Sequence, residues 1–232
     1  MGVLDILFPK YCIQCKAFGS YLCPTCFTYV SFTDTGFCVV CQGQAIGGIT
    51  HPRCRGRYVI DGVFSSLKYA GVVKKLIYQC KYPPYIRNLQ SLLTDFFYEG
   101  IIQKEHVYPL LQQSSVFVPI PLHASKLRKR GYNQAQLLAE SLGKRFFVPA
   151  VDGLERVRKT HTQVGLSQKE RQENIKDAFK LKKKSIDVLV GIENIFLIDD
   201  VVTSGATLKE AAKVLKRAGV GRVWGLTLAH GN

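Results

Sequence analysis

The stretch Ile195-Phe196-Leu197-Ile198-Asp199-Asp200-Val201-Val202-Thr203-Ser204-Gly205-Ala206-Thr207 constrains this chain more than any other. Its apolar run reads as a buried strand that stops at two adjacent carboxylates. A loop of hydroxyls and one glycine follows, and Leu208-Lys209-Glu210-Ala211-Ala212-Lys213-Val214-Leu215 then repeats its apolar positions at helical spacing. Thr207 and Glu210 fit a capping box, so Thr207 is expected to open that helix. Strand, loop and helix N-terminus in this order suit an anion. Unpaired amides point at it, and the helix dipole favours its charge. Gly205 gives the backbone freedom for close approach, and Thr203, Ser204 and Thr207 add hydroxyls. Asp199 and Asp200 cannot bind a phosphate. They suit the vicinal hydroxyls of a sugar, directly or with the help of a divalent cation. A mere acidic turn between strand and helix is the plainer alternative, and the coincidence of four features weighs against it.

A diol clamp beside a phosphate cradle describes a ribose 5-phosphate site. The stretch resembles the phosphoribosyl pyrophosphate (PRPP) signature of type I phosphoribosyltransferases.

Seven of the eight cysteines lie in the first quarter of the chain, as Cys12-x-x-Cys15, Cys23-x-x-Cys26, Cys38-x-x-Cys41 and the hybrid His51-x-x-Cys54. Tetrahedral zinc needs four soft ligands, and each knuckle supplies two from a tight turn. Four knuckles suffice for two zinc ions, and sequential pairing is favoured over crossed pairing. The second site is the weaker one, because His51 replaces a thiolate. A disulfide framework is disfavoured, since no secretion signal precedes the knuckles. Cys80 stands alone and reads as a small buried side chain.

The N-terminal Met1–Pro9 segment is apolar and short, without a basic start or cleavage site, and no run reaches a membrane span. A cytoplasmic protein is expected. Its formal charge of +15 calls for anionic partners such as a nucleotide, pyrophosphate or nucleic acid.

Strand character over Ile60–Tyr69 gives way to helical spacing at Val72–Tyr78 and from Ile86 to Ile102. Val116–Pro121 is the next strand, followed by a basic loop with Arg128, Lys129 and Arg130, and then a helix carrying Ala135, Leu138, Ala139 and Leu142. Ile192–Ile198, Leu208–Ala218 and Arg222–Leu228 resume the alternation, with Gly219 closing the last helix. Such alternation implies an α/β domain with a largely parallel sheet, whose ligands bind beyond the carboxyl ends of the strands. The basic loop opens on the edge where Asp199 and Asp200 fall, placing Arg128 and Arg130 to meet pyrophosphate. Arg156–Ser167 lacks periodicity and suits a mobile lid. His161 reads as an exposed loop residue, and Lys180–Lys184 as solvated surface.

Leu4-Asp5-Ile6-Leu7-Phe8-Pro9, Arg130-Gly131-Tyr132-Asn133-Gln134, Thr162-Gln163-x-x-Leu166-Ser167-x-x-x-Arg171-x-x-Asn174 and the Leu197–Thr207 stretch occur in one order. Together they look like the ComF family, also called ComFC or GntX-type proteins. The resemblance implies a type I phosphoribosyltransferase-like parallel sheet flanked by helices (58–232) behind a double zinc-ribbon-like module (1–57). The zinc ligands would be Cys12, Cys15, Cys23, Cys26, Cys38, Cys41, His51 and Cys54. It further implies PRPP or another ribose 5-phosphate compound bound with Mg²⁺, and a link to DNA uptake. As an enzyme the protein would join an unknown acceptor to C1 of PRPP and release pyrophosphate. Asp199 and Asp200 would hold the ribose, and Thr203, Ser204, Gly205, Ala206 and Thr207 the 5-phosphate. Arg128 and Arg130, with Mg²⁺, would neutralise the pyrophosphate. Purine-base transferases resembling this fold carry an Asp where Thr203 stands, which disfavours hypoxanthine or guanine as acceptor. The competing class is a non-catalytic module that grips single-stranded DNA by charge and by stacking on residues such as Tyr69, Tyr78 and Tyr82. DNA-uptake proteins would be its further partners.

Overall fold

In the computed structural model, residues 9–33, 36–83, 85–86, 88–160 and 167–231 are described. The Leu4–Pro9 motif up to Phe8, together with His161, Thr162, Gln163 and Leu166, lies outside them.

Four parallel strands form the central sheet: β1 (Gly62–Lys68), β2 (Ser115–Pro119), β5 (Asn194–Val202) and β6 (Arg222–His230), in the order β1-β6-β5-β2. Their near-continuous apolar runs are what a sheet covered on both faces requires. One face is covered by α1 (Gly71–Lys81), α2 (Leu89–Ile102) and α4 (Gln134–Phe146), which share a core with Leu67, Phe117, Phe196 and Leu226. The other face carries α6 (Ala206–Arg217), whose Leu208, Ala211, Ala212 and Leu215 are buried against Val116, Ile195, Leu197 and Val223. Beside α6 lie α5 (Gln168–Ile175) and an antiparallel hairpin, β3 (Leu154–Arg156) with β4 (Phe179–Leu181).

Several boundaries differ from expectation, each for a physical reason. β5 does not stop at the carboxylates. Asp199 pairs with Thr227, Val201 with Ala229 and Val202 with His230, so the ladder carries the strand past them. The basic segment after Pro121 is a helix, α3 (Ala124–Arg130), capped by the His123 ring accepting from the Ser125 amide. Gly205 rather than Thr207 caps α6, in the left-handed region at φ 66°, while Glu210 turns outward to accept from the Asp177 amide at 3.1 Å. The capping-box pattern was therefore misleading. The start of the expected lid is in part the β3–β4 hairpin, too short for a periodic signal.

The cysteine-rich region wraps the free edge of β1. Phe32 bridges Leu67 and Ile49 bridges Gly62, both antiparallel. This covering shields an edge that would otherwise invite another strand. Among the described residues, no helix is long and apolar enough to cross a membrane.

Candidate functional site

Asp199 and Asp200 stand near the carboxyl end of β5, beside the point where the chain leaves β5 toward β6 on one side and faces β2 on the other. Lys81, the last residue of α1, holds Asp200 through Nζ–Oδ1 at 2.8 Å. The Asp200 amide donates to Asp199 Oδ1 at 2.9 Å. Burial, and then the charge of Asp200, push the Asp199 carboxyl up to about 7, against the pull of Lys81 and Arg156.

Cations surround the pair. Arg156 of β3 feels the charge of Asp199, and its guanidinium rests over the Phe179 ring at 5.5 Å. Lys126 and Arg130 lie one turn apart on α3. Burial lowers the proton affinity of Lys126, and the charges of Arg156, Arg130 and Lys81 lower it further. Cations crowded so that one is harder to keep protonated make a site that favours an anion. Arg128 and Lys129 do not join this cluster. Both are exposed, and Arg128 lies two residues from Lys126, about 200° around the helix.

The sequence pattern Arg130–Gln134 acquires a local role. Gly131, at φ 79°, ends α3, and Asn133 caps α4 while its Nδ2 donates to Ile120 O at 3.0 Å. Arg130 donates to Gln134, whose own Nε2 donates to Cys80 O at 2.6 Å, as does the Tyr132 hydroxyl at 2.6 Å. These bonds anchor the end of α1 and so aim Lys81 at Asp200. Cys80 itself is a buried thiol pushed up to about 12 by burial, as its solitary position suggested.

The second pattern is equally concrete. Ser167 and Glu170 form the capping box of α5, and Arg171 on that helix donates to Thr203 Oγ1 at 2.8 Å. The 203–205 loop thus has a cation against its first hydroxyl. Among the described residues, Ser204 Oγ, Arg156 Nε and Arg171 Nε are buried with no partner. Unpaired buried donors are costly, and three near one strand end mark a place built for acceptors.

Sequence reasoning missed Lys81, Lys126, Arg156 and Arg171 as site residues. Lys81 lies just past the apolar repeat over Val72–Tyr78, in a helix expected to end before Pro83-Pro84, and Arg156 belongs to an unforeseen strand. For Arg171 the signal existed, since it stands in the quoted Ser167–Asn174 pattern.

Both cysteine clusters assemble sequentially. The ligand atoms of Cys12, Cys15, Cys23 and Cys26 lie within 4.8 Å of one another, as do those of Cys38, Cys41, His51 and Cys54. Cys15 Sγ and Cys23 Sγ are 3.6 Å apart, and Cys41 Sγ is 3.3 Å from His51 Nδ1. Tetrahedral zinc with bonds of about 2.0–2.3 Å spaces its ligands by about 3.5–3.8 Å, so both donor sets fit. His51 Nε2 meets Gln44 O at 2.8 Å, a contact that holds its proton and leaves Nδ1 free to bind metal. That contact answers the sequence-level objection to the second site.

No family model matches the chain. It is 38% identical to Competence protein F of Haemophilus influenzae over 122 residues, covering 51% of this chain and 52% of that protein. It is 37% identical to DNA utilization protein YhgH of Salmonella typhimurium over 115 residues, or 49% of this chain and 48% of that one. These matches span about half the length of either relative. A longer one, 29% identical over 216 residues, covers 90% of the chain and 79% of Competence protein ComFC of Bacillus subtilis. These likenesses support the chain's membership of the ComF family. Its fold agrees with that membership: a mixed α/β architecture with a parallel four-stranded sheet flanked by helices, and cysteine clusters able to hold zinc. Those relatives carry names that refer to competence and DNA utilization.

Proposed function

We propose that this protein binds PRPP at the carboxyl end of β5 and transfers its phosphoribosyl group to a nitrogenous acceptor. The observation that carries this reading is the carboxylate pair Asp199 and Asp200, held by Lys81 and faced by Arg156, beside the cations Lys126 and Arg130. A diol needs acceptors, a diphosphate needs cations, and this strand end offers both. Asp199 and Asp200 take the ribose hydroxyls. The amides opening α6 and the Ser204 hydroxyl take the 5-phosphate. Lys126 and Arg130 face the pyrophosphate.

The acceptor nitrogen forms a bond to C1 as the C1–O bond to pyrophosphate breaks, and pyrophosphate leaves with the electron pair. Catalysis is then positioning plus stabilisation of the leaving charge. Mg²⁺ would supply further charge neutralisation when it arrives with the diphosphate. The carboxylates suit that role, because Mg²⁺ commonly takes one or two protein carboxylates plus substrate phosphates. Thr203 accepts from Arg171, so it is no general base, which supports an acceptor outside the purine bases.

Purified protein incubated with PRPP, Mg²⁺ and a panel of bases and amines should release pyrophosphate with at least one acceptor. Calorimetry should show PRPP binding that falls tenfold or more in Asp199→Asn/Asp200→Asn, from losing charged hydrogen bonds of about 1.5–3 kcal/mol each. Unchanged affinity in a normally folded variant would refute the site. The names of the relatives and the formal charge of +15 favour a second reading, a module that holds single-stranded DNA without turnover. It predicts salt-sensitive strand binding and no pyrophosphate with any acceptor.

A further inference from the structure

The second cysteine cluster does not merely decorate the edge of the sheet. Val39, inside the Cys38-x-x-Cys41 knuckle, is fully buried in the core that contains Val202 and Ala206, on either side of the phosphate loop. It lies so close to Gly205 that a methyl group added there would stand 1.9 Å from Val39 Cγ2. Gln42, which follows the knuckle, donates from Nε2 to Val39 O at 2.9 Å and to Ser204 O at 3.4 Å. Phe37, which precedes it, stacks on His230 with ring centroids 3.9 Å apart and planes 8° from parallel. His230 pairs with Val202, the last residue of β5. Knuckle residues on both sides of Cys38 therefore back the loop.

We infer that the Cys38/Cys41/His51/Cys54 cluster is a positioning element for the 203–207 loop, acting through Val39 and Gln42. Four ligands fix the knuckle, the knuckle fixes these two side chains, and they hold Ser204 and Gly205 from behind. The conformation of Gly205 leaves that glycine little preference of its own, since αL and other regions cost it about the same. Something outside the loop must select one conformation, and Val39 packs directly against Gly205 in the one observed. Metal occupancy at the second cluster then sets how tightly the loop closes on an anion. This rests on the loop being the 5-phosphate site, as proposed above.

The test uses full-length zinc-loaded protein. Gln42→Asn keeps a residue that tolerates a positive φ but shortens the side chain beyond reach of Ser204 O. It should raise the Kd for PRPP about threefold to tenfold, the worth of one neutral hydrogen bond, with zinc content unchanged. Amide exchange at Gly205, Ala206 and Thr207 should quicken by a similar factor. Val39→Ala should do the same, whereas Phe27→Ala, on the first cluster, should leave both readings at parental values. Parental exchange and parental PRPP affinity in both Gln42→Asn and Val39→Ala would overturn the inference. If the parent binds no PRPP, the ligand assignment fails, and amide exchange alone still decides whether the cluster holds the loop.

Discussion

The two cysteine clusters are built to one local plan and face different neighbours. In each, the residue after the second cysteine adopts a left-handed conformation, Lys16 at φ 66° and Gln42 at φ 62°. Its amide returns to the first cysteine carbonyl at 2.8 Å in both, and bridges Tyr11–Phe18 and Phe37–Gln44 close the two knuckles. Behind the first cluster lies α2, where Phe27 meets Phe96 at 5.8 Å. Behind the second lie Gly205 and Ser204. The same knuckle plan thus backs a helix packing on one face of the sheet and the 203–205 loop on the other. Local geometry tells what a cluster binds, and only its neighbours tell what it is for.

The largest expected difference comes from dismantling one cluster at a time. The parent should carry two zinc ions per chain after dialysis. Cys38→Ser/Cys41→Ser should lose one of them and more than tenfold of the PRPP affinity. Cys12→Ser/Cys15→Ser should lose the other and keep affinity within about twofold, though both variants melt earlier because zinc binding contributes directly to folding. Metal analysis and calorimetry on the two variants decide it. Equal losses of affinity would erase the distinction between the clusters.

Substituting glycine probes the contact more narrowly. Gly205→Ala meets a positive φ and a collision with Val39, and should destabilise by about 2–5 kcal/mol. Gly19, beside the first knuckle, has φ 111° but nothing within 4 Å of an added methyl. Gly19→Ala should cost only backbone strain, about 1 kcal/mol, and leave ligand binding alone. Adding Val39→Ala to Gly205→Ala should recover part of the loss, giving a coupling of about 1–2 kcal/mol in a denaturation cycle. Strict additivity would show that the loop and the knuckle do not touch in solution.

The contrast between the clusters also marks where sequence reading stopped. The α/β alternation, the knuckle ligands and the Asp199–Thr207 stretch were legible because each is local: a period, a spacing, a run of residue types. Lys81, Arg156 and Arg171 reach Asp200, Asp199 and Thr203 from 119, 43 and 32 residues away, as counted along the numbering, and carry no periodic mark. Arg128 and Arg130 looked equivalent in a presumed loop. Once Ala124–Arg130 winds into a helix, a separation of two residues puts them on different sides. The Thr207–Glu210 pattern satisfied a capping rule that tertiary structure overrode, because Gly205 could take the left-handed cap and Glu210 had the Asp177 amide to accept from.

The smallest effect tests whether the influence of the second cluster stops at the loop or reaches the carboxylates. Burial and Asp200 hold the Asp199 proton to about 7, against an ordinary value of 3.8. The folded protein therefore keeps a proton that the unfolded chain releases between those two values. The associated stability is fully present below pH 3.8, is lost as pH rises toward about 7, and changes no further above it, where both states are ionised. Asp199→Asn stays neutral throughout, so its melting temperature relative to the parent should climb from pH 4 to pH 7 and then level off. Holding that proton from 3.8 up to about 7 is worth about 4 kcal/mol, so at about 2–4 °C per kcal/mol for a domain of this size the climb should be on the order of ten degrees. Gln42 touches Ser204 and Val39 rather than either carboxylate. Gln42→Asn should accordingly melt parallel to the parent at every pH, offset by a constant amount. A Gln42→Asn profile that bends as Asp199→Asn does would mean that the knuckle governs the buried carboxylate as well as the loop, and the division drawn between the two would have to move.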